Sequence, residues 1–189
     1  MDIGTGDGRF VLAEARARPS AFVVGVDAVA KAMAAASRRA GAKASRGGAE
    51  NAMFVCAAAE ALPGLLAGAA DEITINYPWG SLLRAVALPD VDGLAGIVKL
   101  GKPGARFTSV INVQPLRDAG QAARLGLGNA MLLRDAGRFA GEYARAGLGE
   151  VRVGKIADEA LPATSWGKHL AVSEREVWQV EARTWPASP

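Results

Sequence analysis

Short apolar runs alternate along the chain with longer stretches of helical periodicity, and this alternation constrains the fold more than any other feature. The strand-sized runs lie at 21–27, 53–57, 72–76 and 106–113, and the helical stretches at 8–18, 28–46, 79–100 (broken at Pro89) and 118–146. Strands that alternate with helices form βαβ units, whose right-handed crossovers place helices on both faces of a parallel sheet. Two further runs, 150–156 and 177–183, predict an antiparallel strand pair at its edge.

The composition excludes several classes of protein. With 189 residues the chain is long enough for one domain, which we expect to span 1–189. A single cysteine, Cys56, excludes an intramolecular disulfide, and together with a single histidine, His169, it cannot form a zinc site of the usual kinds. No apolar run reaches the roughly 18 residues that a membrane helix requires. We therefore expect a cytoplasmic protein with no metal ion and no membrane contact; nothing in the sequence indicates its oligomeric state.

A glycine-rich turn at the start of the chain is typical of a cofactor cradle. The segment Asp2-Ile3-Gly4-Thr5-Gly6-Asp7-Gly8 precedes the first helical stretch. Glycine allows positive φ and a close approach of the backbone to a ligand, and a helix N-terminus follows. The spacing G-x-G-x-G differs from the G-x-G-x-x-G of dinucleotide-binding enzymes. Asp27 ends the next strand, where its carboxylate can accept hydrogen bonds from both hydroxyls of a ribose.

Asp2, the glycine turn and Asp27 together resemble the signature of class I S-adenosylmethionine-dependent methyltransferases. The resemblance implies an α/β fold with a Rossmann-like sheet, helices on both faces, and S-adenosyl-L-methionine as cofactor. A neutral-to-acidic cradle suits the ammonium and sulfonium groups of that cofactor, whereas a pyrophosphate would favour a bare helix terminus. The alternative is a glycine turn and a surface aspartate that occur together by chance.

The first strand of the predicted sheet is apparently truncated. Only Met1 precedes Asp2, although the glycine turn of this fold follows a central strand to which its neighbours hydrogen-bond. We expect the natural start to lie upstream, with Met1 a misassigned start, and we expect this form to be less stable or weaker in cofactor binding. The alternative is that this edge of the sheet is filled in another way.

Two tryptophans are candidates for contact with a planar acceptor. Trp79 follows the strand 72–76 in the segment Asn76-Tyr77-Pro78-Trp79-Gly80, and Trp166 lies in the loop before the last strand. Loops at the carboxyl side of one sheet can bring two aromatic side chains to either face of a flipped base. Taken singly, each tryptophan fits a core position equally well.

Five segments together resemble the Kam-type aminoglycoside-resistance methyltransferases, which modify N1 of adenine 1408 in 16S rRNA. The resemblance covers nearly the whole chain in order, and its specific part is the Pro-Trp-Gly segment combined with the later Ser-Trp segment. The segments are Asp2-Ile3-Gly4-Thr5-Gly6-Asp7-Gly8-Arg9, Gly25-Val26-Asp27, Ala59-Glu60-Ala61-Leu62-Pro63, Asn76-Tyr77-Pro78-Trp79-Gly80-Ser81-Leu82-Leu83 and Ser165-Trp166-Gly167-Lys168.

The resemblance implies a set of cofactor-binding residues: Asp2, Gly4, Gly6, Asp27, Ala59, Glu60 and Asn76. The first three would line the methionine end, Asp27 would hold the ribose, and Ala59 and Glu60 would face the adenine. Glu60 also fits an ordinary position near a helix N-terminus, where the dipole favours an acid.

The resemblance also implies how the substrate is held. Trp79 and Trp166 would stack on either side of the flipped adenine, with the hydroxyl of Thr164 close to base and cofactor. The expected substrate is the assembled 30S subunit, and the product would confer aminoglycoside resistance. The net charge of +3 permits a polyanionic partner without demonstrating one. The candidate rRNA contacts are Lys168, His169, where the family usually has arginine, and Arg175, with Arg9, Arg84, Arg117 and Arg124 as weaker candidates.

Four other functions remain open at this point. A tRNA guanine-N7 methyltransferase has a similar opening motif, but its acceptor segment is longer and followed by basic residues. An N6-adenine methyltransferase usually has two adjacent prolines where this chain has only Pro78. A small-molecule methyltransferase is compatible with the modest charge. A cofactor-binding protein without turnover would fit the short first strand.

Overall fold

A computed structural model describes residues 1–88, 91–126, 135–156, 162, 164 and 176–185. In these residues seven strands form one sheet with the order β3-β2-β1-β4-β5-β7-β6. The strands β1 to β5 pair in parallel, and β7 runs antiparallel to both β5 and β6, which confirms the predicted sheet and its antiparallel edge. The strands are β1 (Asp2–Ile3), β2 (Val23–Asp27), β3 (Ala52–Cys56), β4 (Ala70–Asn76), β5 (Gly101–Asn112), β6 (Leu148–Lys155) and β7 (Val177–Thr184).

The helices follow the predicted stretches with differences at their ends, except for the short α5, which was not predicted. They are α1 (Arg9–Ala17), α2 (Ala30–Ala40), α3 (Gly80–Ala87), α4 (Val91–Val98), α5 (Gln114–Arg117), α6 (Ala119–Leu125) and α7 (Ala136–Arg145). The helix predicted at 28–46 ends at Ala40, and a 3₁₀ turn, Ala44–Arg46, comes after it. The stretch predicted at 118–146 contains α6 and α7.

Both faces of the sheet are covered. On β2, Val23 packs with Leu12 of α1 and Ala36 of α2, whereas its neighbour Val24 belongs to the larger core cluster. Because successive side chains of a strand point to opposite faces, the two clusters lie on opposite sides of the sheet. The larger cluster contains Phe107 from β5 and Tyr143 from α7, whose hydroxyl donates a hydrogen bond to the Val86 carbonyl. The sheet therefore has buried apolar side chains on both faces.

The first strand is short but occupies the centre of the sheet. Asp2 pairs with Gly25 of β2 and with Thr74 of β4, and Ile3 pairs with Val26. The ammonium group of Met1 donates a hydrogen bond to the Glu72 carbonyl at 2.6 Å. The first strand is thus two residues long, and it lies between β2 and β4.

The strand order determines where a ligand can bind. The chain crosses from β1 to β2 on one side and, after β3, returns to β4 on the other, so the direction of winding reverses at β1. In open α/β sheets such a reversal leaves a crevice at the carboxyl ends of the strands. None of the helices in the described ranges is long and apolar enough to cross a membrane.

Candidate active site

A cleft of about 500 Å³ opens at the carboxyl ends of β1, β2 and β4. Its walls come from the glycine turn, the end of β2, residues 57–60 after β3, and residues 76–79 after β4. All the predicted cofactor-binding residues line it, namely Asp2, Gly4, Gly6, Asp27, Ala59, Glu60 and Asn76, and so do Trp79 and Thr164. The structure therefore brings together residues that are up to 162 positions apart in the sequence.

Two glycines shape the turn after β1. Gly4 has φ +74°, and a Cβ there would lie 2.6 Å from Cδ2 of Leu82, so a larger residue would be strained and would require the Leu82 side chain to shift. Gly6 has φ +58°, and no other atom lies within 4 Å of where its Cβ would be. Gly6 is thus required by backbone conformation, and its N–H donates to Oδ2 of Asp27 at 2.8 Å.

The Asp27 carboxylate is oriented by the backbone on both sides. Oδ2 accepts the Gly6 N–H and Oδ1 accepts the Val29 N–H, both at 2.8 Å. A carboxylate has about four acceptor positions, so each oxygen retains capacity for another donor. The side chain is half-buried and lines the cleft, in an arrangement that suits two neighbouring hydroxyls.

Asp2 is a buried carboxylate at the floor of the cleft, with 2% of its surface exposed. Its Oδ1 accepts hydrogen bonds from the Thr74 hydroxyl at 2.9 Å and the Asn76 amide at 3.0 Å. Burial raises the pKa of Asp2 to about 6, and these hydrogen bonds partly oppose the rise. Asp2 is therefore mostly ionised at neutral pH and places a negative charge where little water reaches it.

The cleft is acidic. Four carboxyl groups line it, those of Asp2, Asp7, Asp27 and Glu60, and no lysine or arginine is found among the described lining residues. The Ser81 hydroxyl, at the start of α3, hydrogen-bonds to Glu60 and holds the pKa of that carboxyl below its usual range. A cleft with this charge favours a cationic ligand and disfavours a pyrophosphate. It fits a cofactor that carries ammonium and sulfonium groups.

Trp79 stands at the mouth of the cleft as an exposed aromatic side chain. Its exposed fraction is 62%, so it does not occupy the core position that the sequence left open. Tyr77 has φ +52°, which turns the chain sharply after β4, and its N–H donates to the Val110 carbonyl of β5 at 2.7 Å. Pro78 follows with its φ restricted by the ring. The turn thus determines where the Trp79 side chain lies relative to the end of β4.

A family model described as NpmA: 16S rRNA (adenine(1408)-N(1))-methyltransferase matches residues 1–184. The chain belongs to this family. A curated 16S rRNA (adenine(1408)-N(1))-methyltransferase of Streptoalloteichus tenebrarius is similar, with 34% identity over 192 residues that cover 100% of this chain and 87% of the relative. The resemblance found in the sequence motifs is thereby confirmed.

Solved structures of the adenine-N1 methyltransferase family have the same fold. The crystal structure of the aminoglycoside resistance methyltransferase NpmB1 matches with a TM-score of 0.84 and 44% identity, covering 97% of this chain and 85% of that one. A mutant 16S rRNA (adenine(1408)-N(1))-methyltransferase from Catenulisporales acidiphilia, solved with its cosubstrate SAM, matches with a TM-score of 0.77 and 31% identity, covering 100% and 86%. These matches confirm the class I Rossmann-like fold and S-adenosyl-L-methionine as the cofactor.

Four of the predicted site residues lie outside the residues that the structure describes. They are Trp166, Lys168, His169 and Arg175. Arg9 is exposed and pairs with Asp7 at 3.3 Å, and the guanidinium of Arg117 is bound to Glu176 at 2.7 Å. Among the described residues no cluster of three or more histidine, cysteine, aspartate or glutamate side chains could hold a metal ion.

Two polar residues that support the cleft were not predicted from the sequence. Thr74 binds the buried Asp2 together with Asn76, and Ser81 binds Glu60. A signal for Thr74 was present, because Thr74 and Asn76 alternate with the apolar Ile73 and Ile75 and so lie on one face of the strand. Ser81 lies in one of the segments that resemble the family, but its role was not predicted, since its contact depends on how α3 packs beside the loop after β3.

Proposed function

We propose that this chain transfers a methyl group from S-adenosyl-L-methionine to N1 of adenine 1408 in 16S rRNA of the assembled 30S subunit. The observation that carries the proposal is the acidic cleft with an exposed tryptophan, Trp79, at its mouth, in a chain of the adenine-N1 methyltransferase family. We propose further that 1–189 acts as one domain, without a metal ion, in the cytoplasm where ribosomes are found.

The cofactor is held by the residues that line the cleft floor. Asp2 and the turn at Gly4 and Gly6 take the methionine end, where the buried carboxylate attracts the ammonium group. Asp27 accepts the ribose hydroxyls, and Ala59 and Glu60 lie beside the adenine, with Glu60 held by Ser81. Asn76 fixes the Asp2 carboxylate from the β4 side. When bound, S-adenosyl-L-methionine supplies a methyl group that is already electrophilic on its sulfonium.

The target atom needs no general base. N1 of adenine carries an in-plane lone pair at neutral pH, so the chain does not have to remove a proton before attack. Its contribution is orientation, because the transfer requires N1, the methyl carbon and the sulfur to lie in line. The product base carries a positive charge and a blocked Watson–Crick edge, and an aminoglycoside that hydrogen-bonds to that edge would no longer bind.

The acceptor base is held by aromatic walls. Trp79 provides one and Trp166 the other, and stacking of this kind contributes about 1–3 kcal/mol per base, which offsets the cost of taking the adenine out of its stack. Thr164, which lines the cleft, places a hydroxyl near the base. Lys168, His169 and Arg175 contact rRNA phosphates, so the folded RNA surface is recognised mostly through its backbone and shape.

The decisive experiment maps the methyl mark on the ribosome. Purified 30S subunits are incubated with the chain and labelled S-adenosyl-L-methionine, and primer extension then locates a base blocked at N1. A stop at adenine 1408 supports the proposal. A mark on a guanine or on tRNA would instead favour the guanine-N7 alternative. Cofactor binding by calorimetry with no mark on any RNA would indicate a binding protein without turnover.

A further inference from the structure

Three charged side chains meet where the connection between β6 and β7 begins and ends. We call this place, at Lys155–Ile156 and Glu176–Val177, the foot of the connection. Glu176 comes directly before β7, Lys155 ends β6, and Arg117 ends α5. Oε2 of Glu176 lies 2.7 Å from Nη2 of Arg117, and Oε1 lies 2.9 Å from Nζ of Lys155. Oε1 also accepts the indole N–H of Trp178 at 2.6 Å. One carboxylate therefore joins three separate elements.

Glu176 is the centre of this cluster, which we call the Glu176 clamp and define as Glu176, Arg117, Lys155 and Trp178. The Glu176 side chain is 20% exposed, whereas those of Arg117 and Lys155 are 51% and 66% exposed. The hydrogen bond from the Trp178 indole, followed by the Lys155 and Arg117 cations, holds the pKa of the Glu176 carboxyl below its usual range. The Glu176 carboxylate is thus ionised at neutral pH.

The backbone closes the same foot. The Ile156 N–H donates to the Val177 carbonyl at 3.1 Å, and the Val113 N–H donates to the Glu176 carbonyl at 3.3 Å. Residues 157–175 connect these two points in the sequence. The two ends of that connection are therefore tied to each other and to the end of β5.

An apolar layer below the clamp links it to the Trp79 turn. Val110 and Val177 are buried together, and Tyr77 and Ile156 pack against them. Tyr77 also donates its N–H to the Val110 carbonyl and stands two residues before Trp79. The turn that presents Trp79 and the foot of the β6–β7 connection thus rest on one shared base.

We propose that Glu176 is a positioning residue for the acceptor adenine, which it serves by holding the foot of the β6–β7 connection at a fixed place relative to Trp79. The inference rests on the proposed function, since Trp166 and Lys168 belong to that connection in the sequence. Glu176 does not line the cofactor cleft, so its effect falls on methyl transfer to rRNA and leaves cofactor binding alone. Arg117 and Lys155 act through Glu176 in this assignment.

The test compares Glu176→Ala and Glu176→Gln with the wild-type chain in single-turnover methylation of 30S subunits. We expect Glu176→Ala to lower the rate about tenfold, because small misplacements of reacting groups carry penalties up to about a hundredfold. We expect its Kd for S-adenosyl-L-methionine to stay within about twofold of wild type. Glu176→Gln should recover part of the rate, since its amide oxygen can still accept the Trp178 indole and the Lys155 ammonium.

A double-mutant cycle separates positioning from direct RNA contact. Arg117→Ala and Lys155→Ala are each measured alone and combined with Glu176→Ala. If the two cations act through Glu176, the second substitution adds little to the first. Fully additive losses of methylation rate would mean that the cations contact rRNA themselves. That result would overturn the positioning role that we propose for Glu176. Should Glu176→Ala lower the melting temperature strongly, the cycle with Glu176→Gln, which keeps the neutral hydrogen bonds, gives the deciding values.

The ion pair between Lys102 and Asp71 provides a matched control. The distance from Nζ of Lys102 to Oδ1 of Asp71 is 2.8 Å. The pair lies at the start of β4 and β5, whereas the Glu176 clamp lies near the end of β5. Asp71→Ala should leave methylation unchanged. If Glu176→Ala methylates at the wild-type rate, or if its cofactor affinity falls as much as its rate, the inference is overturned and the proposed function still stands. A wild-type chain that binds cofactor but leaves 30S subunits unmarked would overturn the proposed function, and the inference with it.

Discussion

The two halves of the cleft are built in different ways. The cofactor half is formed by a glycine turn and by carboxylates whose oxygens are already hydrogen-bonded, as in Asp27 and the buried Asp2. The half that we propose for the acceptor base presents Trp79 with 62% of its surface exposed, and the Glu176 clamp that we propose as its support contains partly exposed ion pairs. The cofactor half is thus organised before any ligand arrives, whereas the acceptor half has aromatic surface that only a substrate can cover.

This contrast has a thermodynamic consequence. Because the residues proposed to hold the cofactor are different from those proposed to hold the acceptor base, substitutions in the cofactor half should change Kd for S-adenosyl-L-methionine. Substitutions in the acceptor half should change methyl transfer with the Kd unaltered. A substitution that changes both would show that the two halves are not independent.

The largest effect is expected for Trp79→Ala. Loss of one wall leaves the extruded adenine free to tilt, so we expect methylation of 30S subunits to fall about a hundredfold or more. Cofactor affinity, measured by calorimetry, should remain nearly at the wild-type value. Trp185→Ala is the matched control, since Trp185 is also exposed, at 57%, and does not line the cleft. An equal loss of cofactor affinity in Trp79→Ala would break the separation between the halves.

Asp27→Asn tests the cofactor half. The asparagine NH₂ group would face either the Gly6 or the Val29 N–H, two donors that the carboxylate now satisfies, and one ribose acceptor would be lost. We expect Kd for S-adenosyl-L-methionine to rise about ten- to a hundredfold, in line with the cost of losing hydrogen bonds to a charged group. Calorimetry measures it. With saturating cofactor, single-turnover methylation should approach the wild-type rate, and a persistent deficit would contradict the prediction.

Asp2 predicts a pH dependence of cofactor binding. Since burial raises its pKa to about 6, Asp2 gains a proton as the pH falls through that value and then no longer attracts the cofactor ammonium. Affinity should decrease by up to about tenfold per pH unit below the pKa. Calorimetry between about pH 8 and about pH 5 measures this. The slope should disappear in Asp2→Asn, and a slope that persists there would assign the titration to another group.

Asp2 also affects the stability of the fold, and this pH dependence is opposite to that of cofactor binding. The folded-state pKa of Asp2 lies above the unfolded value near 3.8, so the folded chain binds more protons between these values. The contribution of Asp2 to stability is therefore present below the unfolded pKa and is lost as the pH rises through about 6. Asp2→Asn should melt at a higher temperature than wild type near neutral pH, and the difference should shrink towards about pH 4.

Local sequence was enough to predict most of the fold and the cofactor half. The strands and the glycine turn depend on short-range patterns, and Asp27 is placed by the end of its own strand. The hydrogen bonds to Asp2 were not predicted, because Thr74 meets it only after the chain has crossed back to the centre of the sheet. The end of α2 was predicted too late, because its alanine-rich sequence favours helix and a tight turn beyond Gly41 overrides that preference.

The acceptor half was less accessible to sequence reasoning. The positive φ of Tyr77, which directs Trp79 to the mouth of the cleft, is uncommon for a tyrosine and is held by its hydrogen bond to Val110 on a neighbouring strand. The Glu176 clamp joins residues from three elements, and no spacing in the sequence indicates their contact. Such contacts follow from strand order, which the alternation of helices and strands does not specify.

The smallest effect is expected for Ser81→Ala, at the border between the two halves. Ser81 follows Trp79 by two residues on α3, yet its hydroxyl binds Glu60 of the cofactor half. Without that hydrogen bond the pKa of Glu60 should return towards its usual range. The carboxylate would then be less well oriented, so we expect Kd for S-adenosyl-L-methionine to rise about threefold, as for the loss of one exposed hydrogen bond.

The control for this last change is Ser37→Ala, an exposed helical serine on α2 outside the cleft, which should have no effect. In the background of Glu60→Gln, the effect of Ser81→Ala should become smaller, because the two side chains act as a pair. If Ser81→Ala instead lowers the single-turnover rate at saturating cofactor, Ser81 serves the acceptor base through the start of α3. Ser81 would then belong to the acceptor half and not to the cofactor half.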